Sequence, residues 1–151
     1  MDDGSFIVRC PQCGTKNRVP NKRTTGNIVC GKCKSQLDLT LLFPHGFLRV
    51  NDSSFYDEVI RFNGPVLVDF TAPWGGHCRG LEPVLDELAN EYAGKIKFVK
   101  VNVDESPRTA SNHGIRGVPA FYFYNGGRIV DQAVGALPKS EIERHLNSMA
   151  R

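Results

Sequence analysis

Apolar residues resume a regular alternation with polar ones at residue 47, directly after the sequence LLFPHG at residues 41–46. Pro44 and Gly46 in that sequence interrupt regular secondary structure. We therefore place a linker at residues 43–46. It separates a small N-terminal unit, residues 1–42, from a larger C-terminal unit, residues 47–151.

The C-terminal unit shows strand patterns that alternate with helix patterns. Strands are predicted at FLRV, PVLVDFT, KIKFVKVNV, PAFYFYN and RIVDQAV, and helices from Asp52 or Ser53, over 76–93, over 106–112 and around Ile142 and Leu146. Gly126 and Gly127 join the last two strands and favour a hairpin. This order predicts an α/β fold with a central mixed sheet flanked by helices.

Four of the five cysteines lie in the N-terminal unit, as CPQC at 10–13 and CGKC at 30–33. Sixteen residues separate the two pairs, a spacing typical of zinc sites. We expect Gly14 and Gly31 to relieve backbone crowding in the two turns. The sequence thus predicts one structural zinc ion with a closed shell of four thiolates, from Cys10, Cys13, Cys30 and Cys33. Two disulfides or two redox-active pairs are the competing interpretations.

Charge is distributed unevenly along the 151 residues, whose formal net charge is +3. Residues 1–50 carry eight Lys or Arg against three Asp, whereas the remainder carries eleven against thirteen Asp or Glu. Aromatic residues are not interleaved with the N-terminal cations, so the pattern disfavours nucleic acid as a partner. We interpret these cations as a solvated rim that offsets the negative charge of a thiolate metal site.

Several features predict a soluble protein of the cytoplasm. The N-terminus, MDDGSFIVRC, is acidic and lacks the apolar stretch of a signal peptide. No apolar run approaches the roughly 20 residues of a membrane span, so we expect no membrane partner. In a reducing compartment, clustered cysteines more often bind metal or do redox chemistry than form structural disulfides.

Five segments of the C-terminal unit carry a family resemblance. VDFTAPWGGHC, LEPVLDELANEY, KFVKVNVDE, GIRGVPAFYFYNGG and VGALPKSEI resemble thioredoxin, in matching order and spacing, over residues 47–149. With its four-cysteine zinc ribbon, the chain looks like the bacterial thioredoxin 2 subtype. The resemblance implies a thioredoxin fold, protein-disulfide reductase activity, protein disulfides as substrates and thioredoxin reductase as a partner.

The redox motif departs from this family. Thioredoxins carry W-C-G-P-C, whereas this chain has W-G-G-H-C at residues 74–78, with Gly75 at the attacking cysteine and His77 at the proline. We therefore expect dithiol activity to be lost or greatly reduced. Gly75 fits either natural divergence or an engineered substitution. The alternative functions are a non-catalytic module that binds peptides or proteins, or a monothiol protein that uses Cys78. For Cys78 itself, the other interpretation is a small buried packing residue.

Asp69 interrupts the apolar strand VLVDF, where an ionised carboxylate is costly without a partner. Burial should raise its pKa. The resemblance implies that Asp69 relays a proton to or from Cys78 and that Lys100 lies beside it. A hydrated Asp at the edge of the sheet and a solvated strand lysine are the ordinary alternatives.

The resemblance also implies a flat substrate-binding rim around the redox motif. Pro119 matches a proline whose preceding peptide bond is cis in the family. A cis bond there would expose a backbone edge to an extended substrate. For the glycines of this rim, turn geometry alone is the alternative interpretation. The positions that match the rim are Trp74, Gly76, Gly117, Val118, Pro119 and Gly135.

Overall fold

The computed structural model describes residues 5–20, 28–37 and 42–149. In the N-terminal unit, β1 (Ser5–Arg9) pairs antiparallel with β2 (Lys16–Pro20). A second hairpin is formed by β3 (Ile28–Val29) and β4 (Gln36–Leu37). Each hairpin turns at one of the cysteine pairs. We call this unit the zinc ribbon.

The C-terminal unit contains a five-stranded sheet in the order β5-β7-β6-β8-β9. Strands β5, β7 and β6 run parallel, whereas β8 and β9 run antiparallel to their neighbours. Its elements are β5 (Phe47–Val50), a π-helical segment (Tyr56–Ile60), β6 (Pro65–Thr71), α1 (Gly76–Glu91), β7 (Lys97–Asn102), α2 (Pro107–Asn112), β8 (Ala120–Asn125), β9 (Arg128–Val134) and α3 (Lys139–Met149). The prediction of an α/β fold with a central mixed sheet is confirmed.

The first predicted helix begins close to its expected start at Asp52 or Ser53. Its π-helical part begins at Tyr56, but helical hydrogen bonds start earlier, since the Phe55 amide donates to the Asn51 carbonyl at 2.9 Å. The Asn51 side-chain oxygen accepts a hydrogen bond from the Ser53 amide at 3.0 Å, as the N-cap residue of a helix does.

Apolar side chains fill the space on both faces of the sheet. Alternation along β6 sends Leu67 and Asp69 to one face, and Val68 and Phe70 to the other. Leu67 packs in a cluster with residues of α1 and α3, which include Leu85, Leu88, Ile142 and Leu146. Asp69 therefore points into the same layer as helix α1.

A third apolar cluster joins the zinc ribbon to the sheet. Phe6 of β1 and Phe43 contact the ring of Phe62, with centroids 5.1 and 5.4 Å from it. Phe43 is only 2% exposed, and its carbonyl accepts a hydrogen bond from the Gly94 amide at 2.9 Å. The first residue of the predicted linker 43–46 is thus a packing residue, while the domain boundaries stay a prediction.

Among the described residues, no helix combines the length and apolarity that crossing a membrane requires.

Candidate active site and metal centre

The altered redox motif lies where β6 ends and α1 begins. Gly75 is the N-cap of α1, with an extended backbone, and its amide donates to the Ala72 carbonyl at 3.1 Å. Cys78 lies one turn inside the helix and is 4% exposed, whereas His77 beside it is exposed. The sulfur is thus covered, as the packing interpretation of Cys78 requires.

Little room remains between Gly75 and that sulfur. A Cβ atom built on Gly75 would lie 2.9 Å from Cys78 Sγ and 3.0 Å from Val118 Cγ2. In a disulfide, each Cβ lies about 3 Å from the partner sulfur, because the S–S bond is about 2.05 Å long. The backbone therefore keeps the spacing that a cysteine at residue 75 would need to bond Cys78.

Asp69 lies on the face of β6 that packs against α1 and is buried to 2% exposure, so the alternative of a hydrated edge carboxylate does not fit. Its Oδ1 atom has no hydrogen-bond partner among the described residues. Burial raises the pKa of Asp69 to about 7, the nearby Lys100 opposes this rise, and Glu82 adds to it. A carboxyl group with this pKa can gain or release a proton near neutral pH.

Lys100 is the direct neighbour of Asp69 across the β6–β7 pair. Its Nζ atom lies 4.9 Å from the centre of the Phe47 ring. The structure therefore brings Lys100 to Asp69, as the resemblance implied, and an aromatic face contacts its charged end.

The predicted substrate-binding rim assembles from two loops. The Val118–Pro119 peptide bond is cis, and the Pro119 carbonyl accepts a hydrogen bond from the Gly135 amide at 2.8 Å. Val118 reaches the first loop, as its contact with the Gly75 position shows. A Cβ atom added at Gly76 or Gly117 would meet no neighbouring side chain or backbone within 4 Å, so the space above both is open.

Trp74 is the most prominent side chain of this rim, with 63% of its surface exposed. Its indole Nε1 donates to the Asp104 carboxylate, at 3.1 Å from Oδ2. Sequence reasoning missed Asp104, although the residue lies in the matched segment KFVKVNVDE. This hydrogen bond fixes the orientation of the exposed indole.

The four ribbon cysteines converge on one point. Their Sγ atoms all lie within 4.8 Å of one another, and the pairs Cys10–Cys33 and Cys13–Cys30 are 3.6 Å apart. Tetrahedral zinc with Zn–S bonds of about 2.3 Å requires sulfurs about 3.8 Å apart. The geometry therefore fits one zinc ion, held by two cysteines from each turn.

Backbone amides support the metal site. The amides of Gln12 and Lys32 each donate to a sulfur at 3.4 Å, to Cys10 and Cys30 respectively. Hydrogen bonds from the Cys33 and Lys32 amides lower the pKa of Cys30 to about 6, despite its burial. The donors thus favour the thiolate of Cys30, the form that binds metal. At Cys10 the pKa is raised, because burial and the Cys33 and Cys13 thiols outweigh its amide donors.

The two cysteine turns differ in one residue. Gly14 and Lys34 each follow the second cysteine of a pair, and both have a left-handed backbone, with φ of 77° and 66°. The expectation for Gly31 is wrong, because its φ is not positive and its amide instead donates to Asn17 Oδ1 at 2.9 Å. The second turn therefore places a lysine where the backbone favours glycine.

The ribbon packs against the sheet at the end of β6 that is remote from the redox motif. Phe62, which contacts Phe6 of the ribbon, precedes this strand, whereas Gly75 follows it. Seven residues of strand span about 20 Å.

Comparison with known proteins agrees with this architecture. A family model described as thioredoxin matches residues 46–148. Thioredoxin 1 of Nostoc sp. is 52% identical over 102 residues, which cover 65% of this chain and 95% of that protein. The chloroplastic M-type thioredoxin of Chlamydomonas reinhardtii is 48% identical over 133 residues, covering 85% of this chain and 94% of the relative.

Proposed function

Since the chain belongs to the thioredoxin family, we propose that it is a thiol-disulfide oxidoreductase by descent whose dithiol activity is lost or greatly reduced. Gly75 carries this proposal. Disulfide exchange needs an exposed thiolate to attack and a second thiol to release the product. Here the N-cap position of α1 has no sulfur, and Cys78 is buried.

Protein disulfides are the substrate class that the family acts on, and thioredoxin reductase is the partner that would restore an active dithiol. With glycine at residue 75, residues 74–78 cannot form the intramolecular disulfide on which such a reductase acts. We therefore expect no turnover by this partner in the chain as it stands. A reducing compartment such as the cytoplasm suits the four thiolates of the ribbon, with zinc as the metal.

A peptide- or protein-binding module is the second candidate, and the intact rim favours it. Trp74 is exposed and oriented by Asp104, and the loop at Pro119 presents a cis turn beside it. An extended segment could lie on this surface through apolar and backbone contacts, without any exchange of sulfur.

The monothiol alternative has less support. A co-substrate would have to reach Cys78 Sγ, and that side chain is 4% exposed. We therefore rank this alternative below the binding module.

Insulin reduction with dithiothreitol tests the proposal. We expect the zinc-loaded chain to accelerate insulin precipitation no more than a redox-inert protein does, because it has no attacking thiol. Turnover at the rate of a dithiol thioredoxin would overturn the proposal.

A binding measurement then separates the two candidates. The probe is carboxymethylated insulin B chain, which is extended and cannot exchange disulfides. Binding that is lost in Trp74→Ala but retained in Tyr56→Ala supports the module, since both aromatics are more than 60% exposed and only Trp74 lies on the rim. Equal loss in both variants, or no binding at all, counts against it.

A further inference from the structure

His113 lies where helix α2 ends and the loop to β8 begins. It is the C-cap of α2, and residues 114–119 connect it to the start of β8 at Ala120. We call residues 114–119 the rim loop, because they carry Gly117, Val118 and Pro119 of the substrate-binding rim. Interactions that hold His113 therefore hold one end of the rim loop.

Both ring nitrogens of His113 make hydrogen bonds. Nδ1 lies 2.8 Å from the Thr109 carbonyl oxygen, and Nε2 lies 2.7 Å from the Tyr124 hydroxyl. A carbonyl oxygen only accepts, so Nδ1 carries the proton, and Nε2 of the neutral imidazole accepts from Tyr124. The backbone carbonyl of His113 accepts a further hydrogen bond from the Tyr122 hydroxyl at 2.7 Å. The residue is thus tied to α2 and to β8 at once.

Aromatic rings surround the imidazole. Its centroid lies 4.9 Å from the rings of Phe70 and Tyr122, 5.2 Å from that of Phe55 and 6.1 Å from that of Tyr124. Burial lowers the pKa of His113, and the hydrogen bond to the Thr109 carbonyl opposes this without cancelling it. The closed structure therefore favours the neutral imidazole.

Few ionisable groups face this ring. Tyr122 and Tyr124 come from β8, and burial raises the pKa of Tyr124 to about 12, so that its hydroxyl stays protonated. On the α2 side, the Asp52 carboxylate accepts from the amide and the hydroxyl of Thr109, each at 2.7 Å, and Arg108 is exposed. β6 and the residue before the π-helical segment contribute only apolar rings. Within the part of the chain that the structure describes, no carboxylate contacts the imidazole to offset a positive charge.

We propose that His113 positions the rim loop and that protonation of its imidazole releases this loop. A second ring proton, on Nε2, meets the hydroxyl proton of Tyr124, so this hydrogen bond must reverse or break. In the open form the ring is in water, where protonation costs less. The release of the loop does not depend on the redox motif, whereas its effect on peptide binding rests on the binding module proposed above.

The direction of the pH effect follows from linkage. The closed loop binds this proton less readily than the open loop, so the open fraction rises as pH falls below about 6.5. A single proton gives at most about a ten-fold rise per pH unit. Above pH 7 the imidazole is neutral in both forms, and opening should not change with pH.

Amide hydrogen exchange of the zinc-loaded chain measures this opening. The amides of Gly114 and Ile115 donate to the Ser111 and Ala110 carbonyls, both at 3.0 Å, and exchange only when these bonds open. After correction for intrinsic exchange, we expect the opening constant to rise several-fold between pH 7 and pH 5.5. The ring signals of His113, followed by NMR in the same samples, should titrate below pH 6.5.

Two matched variants separate His113 from other titrating groups. His113→Gln keeps an acceptor for the Tyr124 hydroxyl but does not ionise, so its opening constant should not change over this pH range. His45→Gln removes an exposed histidine from residues 43–46 and should keep the pH dependence of the parent chain. Both variants retain the ribbon cysteines, so any loss of zinc at low pH cancels in the comparison.

Peptide binding gives a second measurement. The affinity for carboxymethylated insulin B chain should fall several-fold more between pH 7 and pH 5.5 in His45→Gln than in His113→Gln. If the peptide does not bind at any pH, the binding module is wrong, and the exchange of Gly114 and Ile115 still decides whether His113 controls the loop.

Three results would overturn the proposal. These are an equal pH dependence of opening in His113→Gln and His45→Gln, an opening constant of the parent chain that does not change with pH, and a His113 midpoint at or above pH 6.5. The last two are measured on the parent chain and remain decisive if His113→Gln does not fold.

Discussion

Asp69→Asn should stabilise this protein at neutral pH, although the residue is at the candidate active site. Burial raises the pKa of Asp69 from 3.8 to about 7 in the folded chain. The folded state therefore holds a proton that the unfolded chain has already released between pH 4 and 7. Stability falls through this range as pH rises, and the loss is complete above pH 7.

The magnitude follows from the shift in pKa. A rise of about three units, at 1.36 kcal/mol each, corresponds to about 4 kcal/mol of unfolding free energy at pH 8. Asparagine has nearly the same shape and does not ionise, so it avoids this cost. The pKa of about 7 already includes the opposing attraction of Lys100. The gain is an upper bound, because the buried amide of asparagine also lacks hydrogen-bond partners there.

Urea unfolding of both proteins, zinc-loaded, at several pH values between 5 and 8 measures this effect. We expect the difference between Asp69→Asn and the parent chain to grow with pH up to about 7 and then to level off. The metal site contributes equally to both proteins and cancels in the difference. Asp86→Asn, which removes an exposed carboxylate from α1, is the control and should give a flat difference.

Direct titration provides the refuting result. The reasoning is refuted if the NMR signal of the Asp69 side-chain carboxyl carbon titrates below pH 5, or if Asp69→Asn is less stable than the parent at pH 8. Either result would mean that burial does not control the pKa of Asp69. In the variant Lys100→Met, the carboxylate loses its nearby cation, so the pKa of Asp69 should rise further.

Three further predictions concern the zinc ribbon. Lys34→Gly should relieve a left-handed backbone and stabilise the folded ribbon by about 1 kcal/mol, whereas Gly14→Ala should destabilise it by a similar amount. Zinc competition with a chromophoric chelator measures both effects, and unchanged zinc affinity in both variants would contradict this prediction. Chelation should unfold the ribbon while the sheet persists, and loss of the whole far-ultraviolet circular dichroism signal would show one cooperative unit. Phe62→Ala should lower the free energy of unfolding by about 2 kcal/mol and weaken zinc retention, because Phe6 and Phe43 lose a shared neighbour. Unchanged zinc retention would mean that the packing of the ribbon against Phe62 does not support the metal site.

Much of the fold was predictable because its signals are local. The strands at 65–71 and 128–134 have the bounds that apolar alternation indicated. The helical hydrogen bonds begin at Asn51, beside the expected start at Asp52, but the π-type segment from Tyr56 was not predicted. Apolar periodicity does not distinguish a short π-helical segment from an α-helix.

In the candidate site too, local motifs were predictable from the sequence, whereas contacts between distant residues were not. Residues 74–78 and the four ribbon cysteines stand out as short motifs, so the sequence was sufficient to find them. Asp104 lies thirty positions from Trp74, and only the ends of neighbouring strands bring the two together. The packing of Phe43 and Phe62 against the ribbon was equally hidden, because it joins residues that no local pattern relates.

One missing sulfur at residue 75, in our account, disables an otherwise intact redox site. The most direct measurement is insulin reduction by Gly75→Cys beside Gly75→Ser, which has a similar size but cannot form a disulfide. A Cβ at this position lies 2.9 Å from Cys78 Sγ, so we expect Gly75→Cys to form the disulfide and gain activity, while Gly75→Ser stays inactive. If Gly75→Cys folds, binds zinc and still reduces no insulin, the site lacks more than the sulfur, and the account is wrong.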